Sequence, residues 1–302
     1  MKPTATDPIS AEQPQSTKSV GTGPGNGLVG IPTGLVPLGR LRRRMQGFRS
    51  QPALISMAAI LAALALWAAL TSQGVVKPLF LPKIGTVFQA FLDAVDGRID
   101  GAPLAEHIAM SLLRVVSAFV LAALVGIPVG LATGLSPALR AALDPFIEFY
   151  RPLPPLAYLP LVIIWFGIGE TSKILLIFFA CFAPVALAAR AGVSAAAADQ
   201  VNAARALGAS RWQGVVHVVL PAALPDILVG LRIGMGVGWT TLVAAEMVAA
   251  STGIGQMVLN ASNFLRTDIV LMGIFVIGAF ATLFEFGMRW LERRLVPWKG
   301  KV

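Results

Sequence analysis

The sequence predicts an all-α integral membrane protein of about six transmembrane helices, with both termini on the cytoplasmic side. Hydrophobic residues make up 56% of the 302-residue chain and charged residues only 13%, at a mean hydropathy of +0.76. A soluble domain of this length has no interior large enough for so much apolar surface. The apolar residues also fall into runs of roughly 20, the length a helix needs to cross a bilayer. Basic residues gather at alternate ends of those runs, the pattern of cytoplasmic loops. The net charge of +9 is therefore an orientation signal. It forms no single stripe, so nucleic acid is set aside as a partner.

Taken in order, residues 1–51 read as a disordered, basic cytoplasmic arm. Pro, Gly, Ser and Thr dominate up to Pro37, and no hydrophobic signal-peptide core opens the chain. Arg40, Arg42, Arg43, Arg44 and Arg49 precede the first apolar run and place its start inside. That run, Pro52 to Leu70, is the first span. Residues 72–106 are expected outside, with Lys77, Lys83 and Arg98 offset by Asp93, Asp96, Asp100 and Glu106.

The second span covers His107 to Gly134. Its Gly126, Gly130 and Gly134 recur every fourth residue, a spacing that lets another helix approach closely. The third, Asp144 to Ile168, carries Pro145, Pro152, Pro154, Pro155 and Pro160. No regular helix survives those prolines, so the segment must be buried in protein or line a cavity. Glu148, Tyr150 and Arg151 are expected at its cytoplasmic end. The GIGETSK stretch at 167–173 faintly resembles a phosphate loop, but Ser172 stands where a Gly must precede the Lys. It reads as an external turn.

The fourth span, Ile174 to Ala191, returns the chain to the cytoplasm near Arg190. The fifth, Ile227 to Ala249, repeats the four-residue glycine spacing at Gly230, Gly234 and Gly238. Residues 251–267 are expected outside, and the sixth span runs from Asp268 to Trp290. Arg289, Arg293, Arg294, Lys299 and Lys301 hold the C-terminus inside.

Charges within spans are costly in hydrocarbon and need partners. Arg114, Arg232 and Glu285 are expected to pair between helices or to snorkel. Glu246 lies deeper, after Trp239 and Thr240, and is the candidate for a polar pathway or gate. A lone carboxylate would repel an anionic substrate, so Arg232 or Arg151 is its expected partner. Cys181, the only cysteine, excludes intrachain disulfides and reads as a small packing residue. His107 and His217 lack ligand partners nearby, so no metal site is expected. No hydrolase motif appears, so the chain reads as no enzyme.

Between the fourth and fifth spans lies one polar, basic interruption, NAARALGASRWQGVVHVVLP at 202–221. It reads as a short helix, a turn at Gly208 and an apolar patch closed by Pro221, suited to a partner's groove. It resembles the cytoplasmic EAA loop of the permease subunits of ATP-binding cassette (ABC) importers. Ala203, Ala204, Gly208, Val218, Leu220 and Pro221 fall at the family's spacings, with Asn202 in place of Glu and Val218 in place of Ile. The stretches YRPLPPLAYLPLVIIWFGIGETSKILL at 150–176 and GLRIGMGVGWTTLVAAEM at 230–247, with the ending RRLVPWKGK, are similar to the sulfonate and nitrate branch, taurine permeases above all.

The resemblance covers residues 52–302 and implies a homodimeric permease of the type I importer fold in a bacterial inner membrane. It implies a pair of cytoplasmic ATP-binding subunits, which carry ATP and Mg, and a periplasmic substrate-binding protein. This chain would then need no cofactor. Transport would run by alternating access, with the EAA-like loop passing the motion of the ATPases to the spans. Aliphatic sulfonates, sulfate esters and nitrate are the alternative substrates within the family. Two readings from other classes stand beside it: an ion-coupled secondary transporter, for which no inverted repeat is visible, and a membrane scaffold.

Overall fold

The computed structural model describes residues 52–196 and 198–297. The arm expected over 1–51, Lys299 and Lys301 lie outside those residues. Contacts divide the chain into two compact units, Met1–Ala59 and Ile60–Val302. Of the first, residues 52–59 are described, as the opening turns of helix α1.

Among the described residues every regular element is helical, and five runs are long and apolar enough to cross a membrane. They are α1 (Pro52–Ser72), α3 (Leu104–Leu135), α6 (Glu170–Ala195), the run Arg211–Ala249 that ends in α9 (Leu220–Ala249), and α11 (Thr267–Leu295). The segment expected as the third span is built differently. It comprises α4 (Pro137–Tyr150), a 3-10 turn at Pro155–Ala157 and the short α5 (Leu159–Phe166). Pro152, Pro154 and Pro155 remove the donors a continuous helix would need there. Pro145 and Pro160, in contrast, are absorbed within α4 and the first turn of α5.

Helix α6 is the axis of the core, and both glycine ladders pack against it. A Cβ at Gly126 would meet Val185 at 3.1 Å, and one at Gly134 would meet Val193 at 2.7 Å. From the other side, a Cβ at Gly234 would meet Val185 at 3.1 Å, and one at Gly238 the Cys181 sulfur at 2.8 Å. Without side chains at these positions α3 and α9 close onto α6 at backbone distance. Cys181 is fully buried in that seam and donates to the Gly234 carbonyl at 3.2 Å.

Two helices stand where the sequence predicted external loops: α2 (Ile84–Val95) and α10 (Ile254–Asn263). Both are amphipathic. Val87, Ala90 and Ala94 recur at helical spacing and pack with Ile254, Met257, Ala261, Ile269 and Met272 into one cluster against α11. At the far end of α6, Arg190 pairs with Asp144 of α4, which also pairs with Arg140 at 3.2 Å.

Candidate functional site

The loop of 198–221 is a helix–turn–helix whose ends are each closed by a local device. Helix α7 (Ala198–Ala206) carries Ala203, which is exposed, and Ala204, half-buried. It terminates in a Schellman turn: Gly208 N–H donates to the Arg205 carbonyl and Ala209 N–H to the Ala204 carbonyl, both at 3.0 Å. Gly208 has φ +86°, and no atom lies within 4 Å of where its Cβ would stand. The glycine is there for its backbone, not for want of room.

Ser210 then caps α8 (Arg211–Gly214) with a reciprocal box, Ser210 Oγ accepting from Gln213 N–H and the Gln213 side chain accepting from Ser210 N–H at 2.8 Å. Val215–Val219 forms a π turn, which holds Val218, and Leu220 and Pro221 open α9. The Pro221 ring cannot sit in a regular helix without striking the preceding carbonyls, and the wider π turn relieves that clash. Two apolar side chains that the motif spacing does not include stand out from this loop, Leu207 at 89% exposure and Trp212 at 74%.

The charged candidates separate into two groups. Glu246 is fully buried and pairs with Arg114, also fully buried, at 2.7 Å. Neither Arg232 nor Arg151 is its partner, because both lie elsewhere. Arg114 grips the Glu170 carboxylate with two nitrogens at 2.6 and 2.8 Å and donates to the Thr252 carbonyl at 2.6 Å. Lys173 reaches the same carboxylate at 2.7 Å.

The turn into α10 is satisfied almost entirely by side chains of other helices. Gly253 N–H donates to His107 Nδ1 at 3.1 Å, Ile254 N–H to Ser111 Oγ at 3.0 Å, and Gly255 N–H to the Glu246 carboxylate at 2.9 Å. Ser111 also donates to Glu246 at 2.7 Å. A carboxylate against the first N–H groups of a helix meets both their hydrogen-bond need and their partial charge. Glu246, Arg114, Ser111 and His107 thus join α3, α6, α9 and α10.

The remaining candidates line clefts. Trp239, Thr240 and Arg232 border a groove of about 690 Å³ between α9 and α11, where Arg232 pairs with Glu285 at 2.7 Å. Trp239 is 5% exposed and packs edge-on against Phe284 at 5.6 Å. Arg151 borders a second cavity of about 500 Å³, between the broken segment and the middles of α6 and α9. The sequence placed Tyr150 and Arg151 at the cytoplasmic end of a span. Instead α4 brings Tyr150 to α6, where its hydroxyl donates to the Phe179 carbonyl in the body of that helix.

Residues 126–297 match the family described as the binding-protein-dependent transport system inner membrane component. The chain is 53% identical over 255 residues to the taurine transport system permease protein TauC of Escherichia coli (strain K12), covering 84% of this chain and 92% of that protein. It is 35% identical over 238 residues to the putative aliphatic sulfonates transport permease protein SsuC of Bacillus subtilis (strain 168), covering 78% and 84%. In fold it resembles a chain of the inward-facing MetNI methionine ABC transporter, with a TM-score of 0.56 at 18% identity over 64% of this chain and 95% of that one.

Proposed function

This chain belongs to the inner membrane component family of binding-protein-dependent transport systems, and from that premise we propose that it is the permease through which an ABC importer moves taurine. As a permease of that family it is a translocating component of the inner membrane, not an enzyme, and it works with ATP-binding and substrate-binding partners. The finer assignments are our proposal: a homodimer, two cytoplasmic ATP-binding subunits holding ATP and Mg, and delivery by a periplasmic binding protein.

One observation carries the coupling. The loop at 198–221 is closed by its own caps and presents Leu207 and Trp212 outward, at the opposite end of α9 from Glu246. A self-contained helical hairpin with exposed apolar anchors is what a partner's groove receives. We assign Ala203, Ala204 and Gly208 to the seat in that groove. Val218, Leu220 and Pro221 would carry its motion into α9 through the π turn. Trp239, Thr240 and Arg232 border a groove that fits a pathway wall. Glu246 is assigned to holding the helices together at the far end.

The substrate rests on the likeness to the taurine permease. The test is ATP hydrolysis in proteoliposomes holding this chain, its ATP-binding partner and its binding protein. Taurine-loaded binding protein is expected to stimulate hydrolysis and uptake together. Stimulation by aliphatic sulfonates, sulfate esters or nitrate but not by taurine would replace the substrate. Failure to assemble with an ATP-binding partner would return the secondary-transporter and scaffold readings.

A further inference from the structure

The cavity beside the broken segment contains one charged side chain among its described lining residues, Arg151, and no carboxylate. Arg151 is exposed, and among the described residues no ion pair engages it. Its neighbours Tyr150 and Tyr158, with Phe179 of α6, form an aromatic wall with ring centroids 5.8, 5.9 and 6.3 Å apart. The rings are tilted or edge-on to one another, at 46°, 64° and 87°, so no two are stacked face to face. Their hydroxyls are tethered, Tyr150 to the Phe179 carbonyl and Tyr158 to Tyr150 at 3.2 Å, which fixes the wall.

Depth follows from the helix. Phe179 is nine residues into α6, roughly 14 Å from its start at 1.5 Å per residue, and so near the middle of a hydrocarbon layer about 30 Å thick. Arg151 borders the cavity that runs along α6 from Phe179 to Ala188, and an unpaired cation beside a membrane-spanning helix marks a functional site, because hydrocarbon leaves its charge uncompensated. In secondary transporters, too, broken helices place substrate near the midplane. The rest of the lining is apolar, as at Ala183, Leu187, Ile233 and Val237, and the volume falls in the range of small-molecule sites.

We infer that this cavity is a transient substrate subsite for a small zwitterion. Arg151 holds the sulfonate, and the Tyr150, Tyr158 and Phe179 wall holds the ammonium. The planar guanidinium fork matches oxyanion geometry, and aromatic faces attract a primary ammonium that has left water. The inference rests on the taurine reading and deepens it. It makes the permease itself sort zwitterionic from purely anionic sulfonates.

The test uses this chain assembled with its ATP-binding partner in nanodiscs, without the binding protein. It reads saturable binding of labelled taurine and competition by ethanesulfonate, which lacks the ammonium. Arg151→Gln is expected to weaken both ligands by roughly tenfold or more, the scale of a charged hydrogen bond. Arg151→Lys should recover part of that loss. Phe179→Leu should weaken taurine by roughly two- to fivefold and leave ethanesulfonate unchanged, the scale of a cation–π contact.

Taurine uptake is measured in parallel with the binding protein present. Uptake by the wild type without saturable nanodisc binding would overturn the subsite and leave the substrate reading standing. Arg151→Gln binding both ligands as the wild type does, or Phe179→Leu weakening both equally, would also overturn it. Absence of taurine uptake in the wild type would remove the substrate reading and this inference with it.

Discussion

The two ends of α9 are built on opposite terms. Near Glu246, side chains are spent on partners within the chain: one carboxylate engages Arg114, Ser111 and Gly255, and one guanidinium engages two carboxylates and a carbonyl. At the Leu220 end, the loop of 198–221 uses its polar groups to cap itself and turns Leu207 and Trp212 outward. The difference teaches where rigidity and exchange belong. A buried ionic network resists motion because each member is costly to leave unpaired. A self-capped hairpin keeps its shape while its apolar surface stays available to another chain.

The largest effect is expected where the network is cut. Arg114→Leu leaves Glu246 fully buried without its counter-charge, which costs about 3–5 kcal/mol. Thermal unfolding of the purified permease should show a large drop in midpoint. Arg114→Leu with Glu246→Leu should recover much of it, because two apolar residues are cheaper there than one stranded charge. An unchanged midpoint in the single variant would break the comparison at its stronger end.

Next comes Gly253→Ala. The new Cβ would stand 2.5 Å from the Glu246 carboxyl carbon, at a backbone φ of +141°. A cost of about 1–3 kcal/mol is expected from strain of that kind, read in the same unfolding assay. If Gly253→Ala matched the wild type, the turn would be free to shift and the network less tightly drawn than its distances indicate.

Smaller still in stability is Gly208→Asp, since nothing crowds that position and only φ +86° opposes a side chain. About 1 kcal/mol is expected from the left-handed backbone. The large effect is functional: uptake should fall while the partner's ATP hydrolysis continues, because the hairpin leaves α7 at a different angle. Normal uptake would remove Gly208 from the coupling assignment.

What was legible in the sequence divides along the same line. The long spans follow from hydropathy, and both glycine ladders announced close helix packing that the core around α6 realises. The turn of the loop was legible because Gly208 acts on residues within a few positions of itself, whereas the Ser210–Gln213 cap, though equally local, was not read. The network was not. Arg114 lies 56 residues from Glu170 and 132 from Glu246, and no local pattern says which of several intramembrane arginines meets which acid. Helices α2 and α10 were missed because charged or polar residues flank them, although Val87, Ala90 and Ala94 carry a helical period. Tyr150 was misplaced because the third span was expected to begin at Asp144, less than two turns before it, whereas α4 already starts at Pro137 and brings Tyr150 to the body of α6.

The smallest expected change in stability, and the sharpest test of the loop end, is the pair Leu207→Ser and Trp212→Ser. Both side chains are largely in solvent, so their loss should move the unfolding midpoint by no more than about 0.5 kcal/mol in stability. An exposed apolar residue has nothing to hold within its own chain, so any role it has must be read in an assembly. Co-purification with the ATP-binding partner is therefore expected to fall, with taurine uptake falling in parallel. If the double variant instead unfolded early and still bound the partner, Leu207 and Trp212 would be holding the loop itself. The contrast between an inward-bound end and an outward-facing one would then fail.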